Sequence, residues 1–211
     1  MKWGLLAVMS TTVLTACQSQ PKNEADTVSG ASIKTPREII KSPVKKTDFL
    51  LGTAVALSVY HPNTEEVITS ALEMIKDLEK RITVNASGSE VDEVNLAAGE
   101  KPVKVSADVY ELIKLGLKYS EEFDGAFDVT VGPLTALWHI GFDDAKKPTQ
   151  EEIDAVLPLV NYKDVELNDA EQTVFLKKKG MQLDLGGIAK GYIADKVWEY
   201  FAKEGITTAV I

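Results

Sequence analysis

The sequence predicts an α+β fold, on three observations. Stretches of strand character and stretches of helical apolar spacing alternate irregularly over the 211 residues, a β-hairpin pattern lies among them, and no internal repeat is evident. A doubly wound parallel sheet would need a more regular strand–helix alternation. With 45% hydrophobic and 26% charged residues, the chain reads as neither disordered nor a multi-span membrane protein, so a soluble core is expected.

Residues 1–16 read as an export signal. Lys2 gives a basic start, Trp3 to Val13 is apolar, and Leu14-Thr15-Ala16-Cys17 precedes the polar Gln18-Ser19-Gln20. The apolar stretch is shorter than the roughly 20 residues of a membrane-spanning helix. Leu-x-Ala-Cys resembles the bacterial lipobox, which makes Cys17 the expected lipidation site and puts the mature protein on the extracytoplasmic face of the cell membrane, held by its lipid anchor. Residues 17–46 are rich in Ser, Thr, Pro and Lys without an apolar period and read as a flexible tether, leaving 47–211 as the folded domain.

Within that domain Phe49 to Tyr60 is apolar, partly β-branched and stopped by His61-Pro62, which predicts one strand. Thr64 opens a helix to about Arg81, with Val67, Ile68, Ala71, Leu72, Ile75 and Leu78 on one face. Thr83 to Gly99 reads as an irregular loop of the kind that carries function. Val103 to Val105 predicts a short strand, and Ser106 the N-cap of a helix through Tyr119. Thr149-Gln150-Glu151-Glu152 is a capping-box start for a helix interrupted near Pro158. Asp164 to Leu167 and Thr173 to Lys177, about the turn Asn168-Asp169, form the predicted hairpin. Gln182 to Leu185 reads as a strand, Gly186-Gly187 as a turn, Ile188 to Lys203 as a helix and Thr207 to Ile211 as a final strand.

Charge and side-chain inventory narrow the chemistry. The formal charge of -9 argues against nucleic acid, which needs a basic face. One Cys permits no intramolecular disulfide and no multi-thiolate metal site, and His61 and His139 lie far apart, so a metal here would be a hard ion held by oxygen. His61, before Pro62, is expected at a turn, and His139, with no paired acid evident, is read as structural. No Ser-His-Asp or Cys-His arrangement is suggested, which disfavours a covalent protein nucleophile.

Two motifs stand out. In Leu183-Asp184-Leu185-Gly186-Gly187-Ile188-Ala189-Lys190-Gly191-Tyr192, a strand feeds paired glycines into a helix, where backbone N–H groups, the helix dipole and Lys190 favour an anion. The spacing is neither the dinucleotide G-x-G-x-x-G nor the P-loop, and read alone paired glycines are more often close packing, with Asp184 equally a cap. In Phe123-Asp124-Gly125-Ala126-Phe127-Asp128-Val129-Thr130, followed by Val131-Gly132-Pro133-Leu134 and Trp138-His139, polar groups lie amid small and aromatic residues. That pattern suits either a planar ligand or a turn packed on the core.

These two motifs, with Phe49 to Thr53 and Ser89-Glu90 with Asn95, occur in an order that resembles the ApbE family of FAD:protein FMN transferases over roughly residues 48 to 211. The resemblance implies an ApbE-like, T-fold-related mixed sheet with packed helices. It implies a magnesium-dependent, lipid-anchored enzyme that takes FAD as substrate and attaches FMN to a Thr hydroxyl of an acceptor protein, releasing AMP. Its alternatives are an FAD pyrophosphatase and a non-catalytic flavin-binding lipoprotein. By the same resemblance Leu51 stands where the family usually has Met at the flavin site, Asn85 falls at a flavin-contacting place, and Ala126, Phe127 and Asp128 match the flavin-binding stretch. Asp184 and Lys190 match FAD-contacting positions, and Gly187 offers a backbone carbonyl to the Mg2+ ion. Attack on an FAD phosphorus concentrates negative charge, which in an acidic chain calls for such a cation. The family's second-half motif, resembling His-Ile-x-Asp-Pro-x-x-Gly and completing the metal site, has no match, so the chain is expected to be either the N-terminal part of a longer reading frame or a degenerate product, and no catalytic residue is assigned.

Overall fold

The computed structural model describes residues 34–211. The export signal, Cys17 and most of the tether lie outside them. The end of the tether does not: the Lys34 and Arg37 N–H groups donate to the carbonyls of Lys203 and Gly205 at 3.2 and 3.1 Å, and Ile40 N–H donates to the Tyr60 carbonyl at 2.9 Å. The ordered domain therefore starts before residue 47, because backbone bonding fixes this stretch although it has no apolar period.

Strand β1 (Val44–Leu50) and strand β2 (Thr53–Val59) pair antiparallel from Val44↔Val59 to Leu50↔Thr53. The single strand expected over Phe49 to Tyr60 is thus the second arm of a hairpin whose turn is Leu51-Gly52, with φ of 55 and 68. Two consecutive positive φ values suit the right-handed twist of the arms. The turn carries Leu rather than Asn or Asp at its first position, so its sequence signal is weak.

Helix α1 (Glu65–Ile82) buries Val67, Ile68, Ala71, Ile75 and Leu78, as the spacing predicts. The expected loop after it contains helix α2 (Glu90–Leu96), capped by Ser89, whose hydroxyl accepts the Asp92 N–H at 2.9 Å, and seated on Val91 and Val94. Strand β3 (Val103–Lys104) leads into helix α3 (Ala107–Glu122). Helix α4 (Gly132–Trp138) occupies part of the small-and-aromatic cluster, with Pro133 in its first turn. Helix α5 (Gln150–Val156) starts on the predicted capping box. Strands β4 (Val165–Asn168) and β5 (Thr173–Leu176) form the predicted hairpin, helix α6 (Gly186–Lys203) follows the paired glycines, and strand β6 (Ala209–Val210) ends the chain.

The strands make two antiparallel three-stranded sheets, ordered β1-β2-β6 and β3-β5-β4. Gln182 to Leu185 is extended but pairs only through one parallel bridge, Val131↔Gln182, rather than as a strand. One apolar core joins Leu57 and Val59 of β2, Ile68 and Ile75 of α1, Leu112 and Ile113 of α3 and Val197 and Phe201 of α6. Burial at that scale, about 1.5–3 kcal/mol for each fully buried large side chain, gives the rigid frame on which the glycine turn is mounted.

Candidate functional site

The two sequence motifs lie side by side. The Gly132 N–H donates to the Gln182 carbonyl at 3.2 Å and the Asp184 N–H to the Val129 carbonyl at 2.8 Å. A Cβ on Gly132 would stand 2.6 Å from the Gln182 carbonyl oxygen, so only glycine lets the two backbones meet. Asn95 of α2 grips Leu183 from the other side, accepting its N–H at 2.7 Å and donating to its carbonyl at 3.1 Å. Two separate segments, the 129–132 backbone and α2, thereby set the position of Asp184.

Asp184 is half-buried and works at the mouth of α6. One carboxylate oxygen accepts the Gly186 N–H at 2.9 Å, and the other accepts the Thr135 hydroxyl of α4 at 2.8 Å. The first turn of α6 carries no acidic residue, and Gly186, Gly187 and Lys190 are exposed. Asp184 takes the Gly186 N–H, and the remainder of the mouth of this 18-residue helix, with the exposed Lys190 ammonium, favours an anion. Gly187 also packs flat against Phe127: a Cβ on it would stand 3.1 Å from the ring. Gly187 is therefore closely packed on one side, while the helix mouth beside it is exposed.

Two hollows meet at Asp184. A cleft of about 770 Å³ and a depression of about 200 Å³ share Val84, Asn85 and Asp184 in their walls. Leu51, Asn85, Asp184 and Lys190, four of the residues singled out by sequence, line the smaller one together. Ala126 is exposed, and Phe127 stands behind Gly187. Asp128 instead points its carboxylate at protein: one oxygen accepts the Thr130 N–H and hydroxyl at 2.8 and 2.7 Å, the other the Tyr162 N–H at 3.0 Å. It ties the motif to the segment before β4, and the buried Thr130 hydroxyl accepts the Asn161 N–H at 2.8 Å.

Sequence reasoning missed several groups. Thr135 could be found only once α4 was known. His139 has an acid partner after all, Asp144, with Nδ1 2.6 Å from its carboxylate, because the chain turns back at Gly141. His61 is more than a turn residue: fully buried, it places Nδ1 2.7 Å from the Glu38 carbonyl and Nε2 3.0 and 3.2 Å from the N–H groups of Thr207 and Thr208. It clips the segment before β1 to the one before β6.

For magnesium, the test is the donor set. Among the described residues no three His, Cys, Asp or Glu side chains gather as a metal site. The Gly187 carbonyl, inside the first turn of α6, is not a complete set for an ion that demands near-octahedral oxygen coordination. These residues by themselves do not fit the ion.

The fold and the paired hollows define an α+β protein whose candidate site is built on a glycine turn at a helix N-terminus. The model of the ApbE family matches residues 51–211, and the chain belongs to that family. It is 40% identical over 162 residues to the FAD:protein FMN transferase of Klebsiella pneumoniae (strain 342), covering 77% of this chain and 51% of that protein. It is 31% identical over 175 residues to the protein of the same name from Treponema pallidum (strain Nichols), covering 79% and 48%. The crystal structure of an ApbE protein from Thermotoga maritima MSB8 superposes with a TM-score of 0.73 at 32% identity, covering 80% of this chain and 55% of that one. A flavin transferase ApbE from Vibrio cholerae shares the fold, with a TM-score of 0.72 at 24% identity. The chain spans about half the length of the curated relatives it matches.

Proposed function

We propose that this chain carries the FAD-binding part of an FAD:protein FMN transferase, which moves FMN from FAD to a Thr hydroxyl of an acceptor protein and releases AMP. The observation that carries the reading is the convergence of Leu51, Asn85, Asp184 and Lys190 on one depression at the N-terminus of α6. Of these, Lys190 and the helix mouth offer positive charge to a diphosphate. Asp184 holds the turn through the Gly186 N–H and α4 through Thr135, so its part is to fix the glycine turn in place rather than to meet the phosphate itself. The larger cleft, walled by Trp138, Phe142 and Leu96, has the apolar and aromatic lining that a flavin or adenine ring needs.

In the proposed reaction the acceptor oxygen bonds to the FMN phosphorus as the bond to AMP breaks, and preorganised donors offset the growing negative charge. Magnesium belongs to the same proposal, with the Gly187 carbonyl as one ligand and the others supplied from outside the described residues, which by themselves do not complete its coordination. The proposal also includes lipidation at Cys17 and anchoring at the extracytoplasmic face of the membrane. The test is incubation of a full-length preparation with FAD, magnesium and a Thr-containing acceptor. An acceptor heavier by one FMN, with equimolar AMP, is expected. Free FMN without an adduct would convert the reading to FAD hydrolysis, and FAD that binds but stays intact would reduce it to flavin binding.

A further inference from the structure

We propose that the basic strip over residues 34–46 docks on an anionic lipid bilayer and leaves the candidate site at the far end of the domain. The inference goes beyond the transfer reaction and takes only the membrane from the anchoring proposed above. The strip holds Lys34, Arg37, Lys41, Lys45 and Lys46 against a single acidic residue, Glu38, in a chain of formal charge -9. Its sign is opposite to that of the chain as a whole. Screening confines attraction to roughly 10 Å at ordinary ionic strength, so an approaching surface meets the strip and not the average charge. Clustered Lys and Arg are attracted to anionic headgroups, and beside a lipid anchor they add a contact that orients the domain.

The strip is fixed on the domain rather than trailing from it. Backbone bonds tie Lys34 to Lys203 and Arg37 to Gly205, Lys34 Nζ lies 2.6 Å from the Glu204 carboxylate, and Arg37 Nε donates to the Glu204 carbonyl at 3.0 Å. Lys46 donates to the Thr69 hydroxyl. Lys41 and Lys45 are exposed, and among the described residues neither has an ion-pair partner. Between Arg37 and Lys41, Ile39 is 61% exposed, an apolar side chain among cations as in segments that lie at a bilayer surface. Strand β1 is the edge of its sheet, where lysine also discourages strand pairing. Edge protection needs neither Lys41, which lies outside β1, nor an exposed Ile39.

Two elements place strip and site at opposite ends. Helix α6 starts at the glycine turn and ends where Lys34 is bonded, 18 residues or about 27 Å away. Strand β1 covers the span in the other direction, from Lys45 near its start to Leu50, beside the Leu51 of the smaller depression. With the strip on headgroups, the site opens toward proteins that stand off the membrane.

The experiment is cosedimentation of the full-length protein, made without residues 1–16 and with Cys17→Ala so that no acyl chain contributes. The vesicles are phosphatidylcholine alone and phosphatidylcholine mixed with phosphatidylglycerol. Binding is expected only to the mixed vesicles and is expected to vanish at high salt. Lys41→Gln and Lys45→Gln should each lower the partition coefficient roughly fivefold, and Ile39→Ser should lower it further. All three side chains are exposed, so the thermal midpoint and transfer to a soluble acceptor should stay parental. Equal binding to both vesicles, binding to neither, or a Lys41→Gln, Lys45→Gln double variant that binds like the parent overturns the inference. A double variant that self-associates while binding lipid as the parent does assigns the lysines to edge protection instead. The transfer reaction is read separately by the mass of the acceptor, and acylation by the mass of the protein with Cys17 intact, so neither reading falls with this one.

Discussion

Asn95 holds Leu183 by both edges of its backbone, accepting the N–H at 2.7 Å and donating to the carbonyl at 3.1 Å across 88 residues of sequence. The short helix α2 thereby fixes the stretch that ends in the glycine turn. Asn95→Ala leaves two backbone groups to find other partners and is expected to cost about 1–3 kcal/mol in urea unfolding. Asn95→Asp should not rescue it, because a carboxylate only accepts and would face the Leu183 carbonyl. An Asp variant as stable as the parent would show that the amide is not what holds the turn.

Asp128 and Asp184 are expected to separate by readout. The Asp128 carboxylate accepts three hydrogen bonds from Thr130 and Tyr162, so Asp128→Ala should lower stability by about 2–3 kcal/mol, as loss of bonds to a charged group does. Asp184→Ala removes one bond at the helix entrance and one to Thr135, a loss nearer 1 kcal/mol, but should weaken FAD binding several-fold by loosening the glycine turn that Asp184 ties to α4. Denaturant melts and FAD titration of both variants decide the matter. Equal losses of stability with equal affinities would leave Asp184 a cap and nothing more.

The long elements were legible because each carries its own signal. The apolar stripe of α1, the capping box of α5 and the turn between β4 and β5 depend on residues three or four apart or on local turn chemistry. The elements missed are those whose evidence is thin or distant. Ser89 and Asp92 do cap α2, but two valines are little apolar spacing for a helix of 7 residues. The Leu51-Gly52 turn lacks the usual Asn or Asp, and Gln182 to Leu185 looks like a strand because it is extended and buries alternate residues, Leu183 and Leu185, although its partners are Asn95 and the 129–132 backbone rather than a sheet. For the site, residue types pointed to Asp184 and Lys190, but pairings such as Thr135 with Asp184 span 49 residues and are set by packing alone.

The contact between α3 and α6 predicts how stability responds to pH. Tyr192 is buried and donates to Glu111 at 2.8 Å, while Lys196 lies 2.8 Å from the same carboxylate. Burial, then the bond to Glu111, pushes the Tyr192 phenol up, and the Lys196 bond holds Glu111 below the usual carboxylate range against its own burial. Burial alone would lower Lys196, but Glu111 outweighs it and the ammonium is raised. Raised groups stabilise fully below their unfolded values, near pH 10, and lose that contribution as pH rises through the folded ones. Glu111 stabilises above about pH 4 to 5 and its contribution fades as pH falls through its lower folded value. Its side chain is 58% exposed, so the acid limb should be shallow. Tyr192→Phe should cost about 1 kcal/mol at pH 8 and flatten the alkaline limb of a Tm–pH curve. An unchanged alkaline limb would locate that titration elsewhere.

Leu51 combines backbone strain with a place in the candidate site. Its φ of 55 costs an L-residue about 1–2 kcal/mol, and its N–H is held by the Glu79 carboxylate at 2.7 Å. The side chain packs partly on the core and lines the smaller depression. In Leu51→Gly the relief of strain opposes the lost packing, which for a half-buried leucine is below the roughly 1.5–3 kcal/mol of a fully buried one. The two are similar in size, so the thermal midpoint should move by only a few degrees. FAD affinity has no such compensation, because glycine removes the wall that leucine gives the depression. A several-fold weaker Kd at nearly constant stability is therefore expected, and it would mean that the strained turn is retained for the ligand. A variant that binds FAD as tightly as the parent would return Leu51 to the hairpin alone.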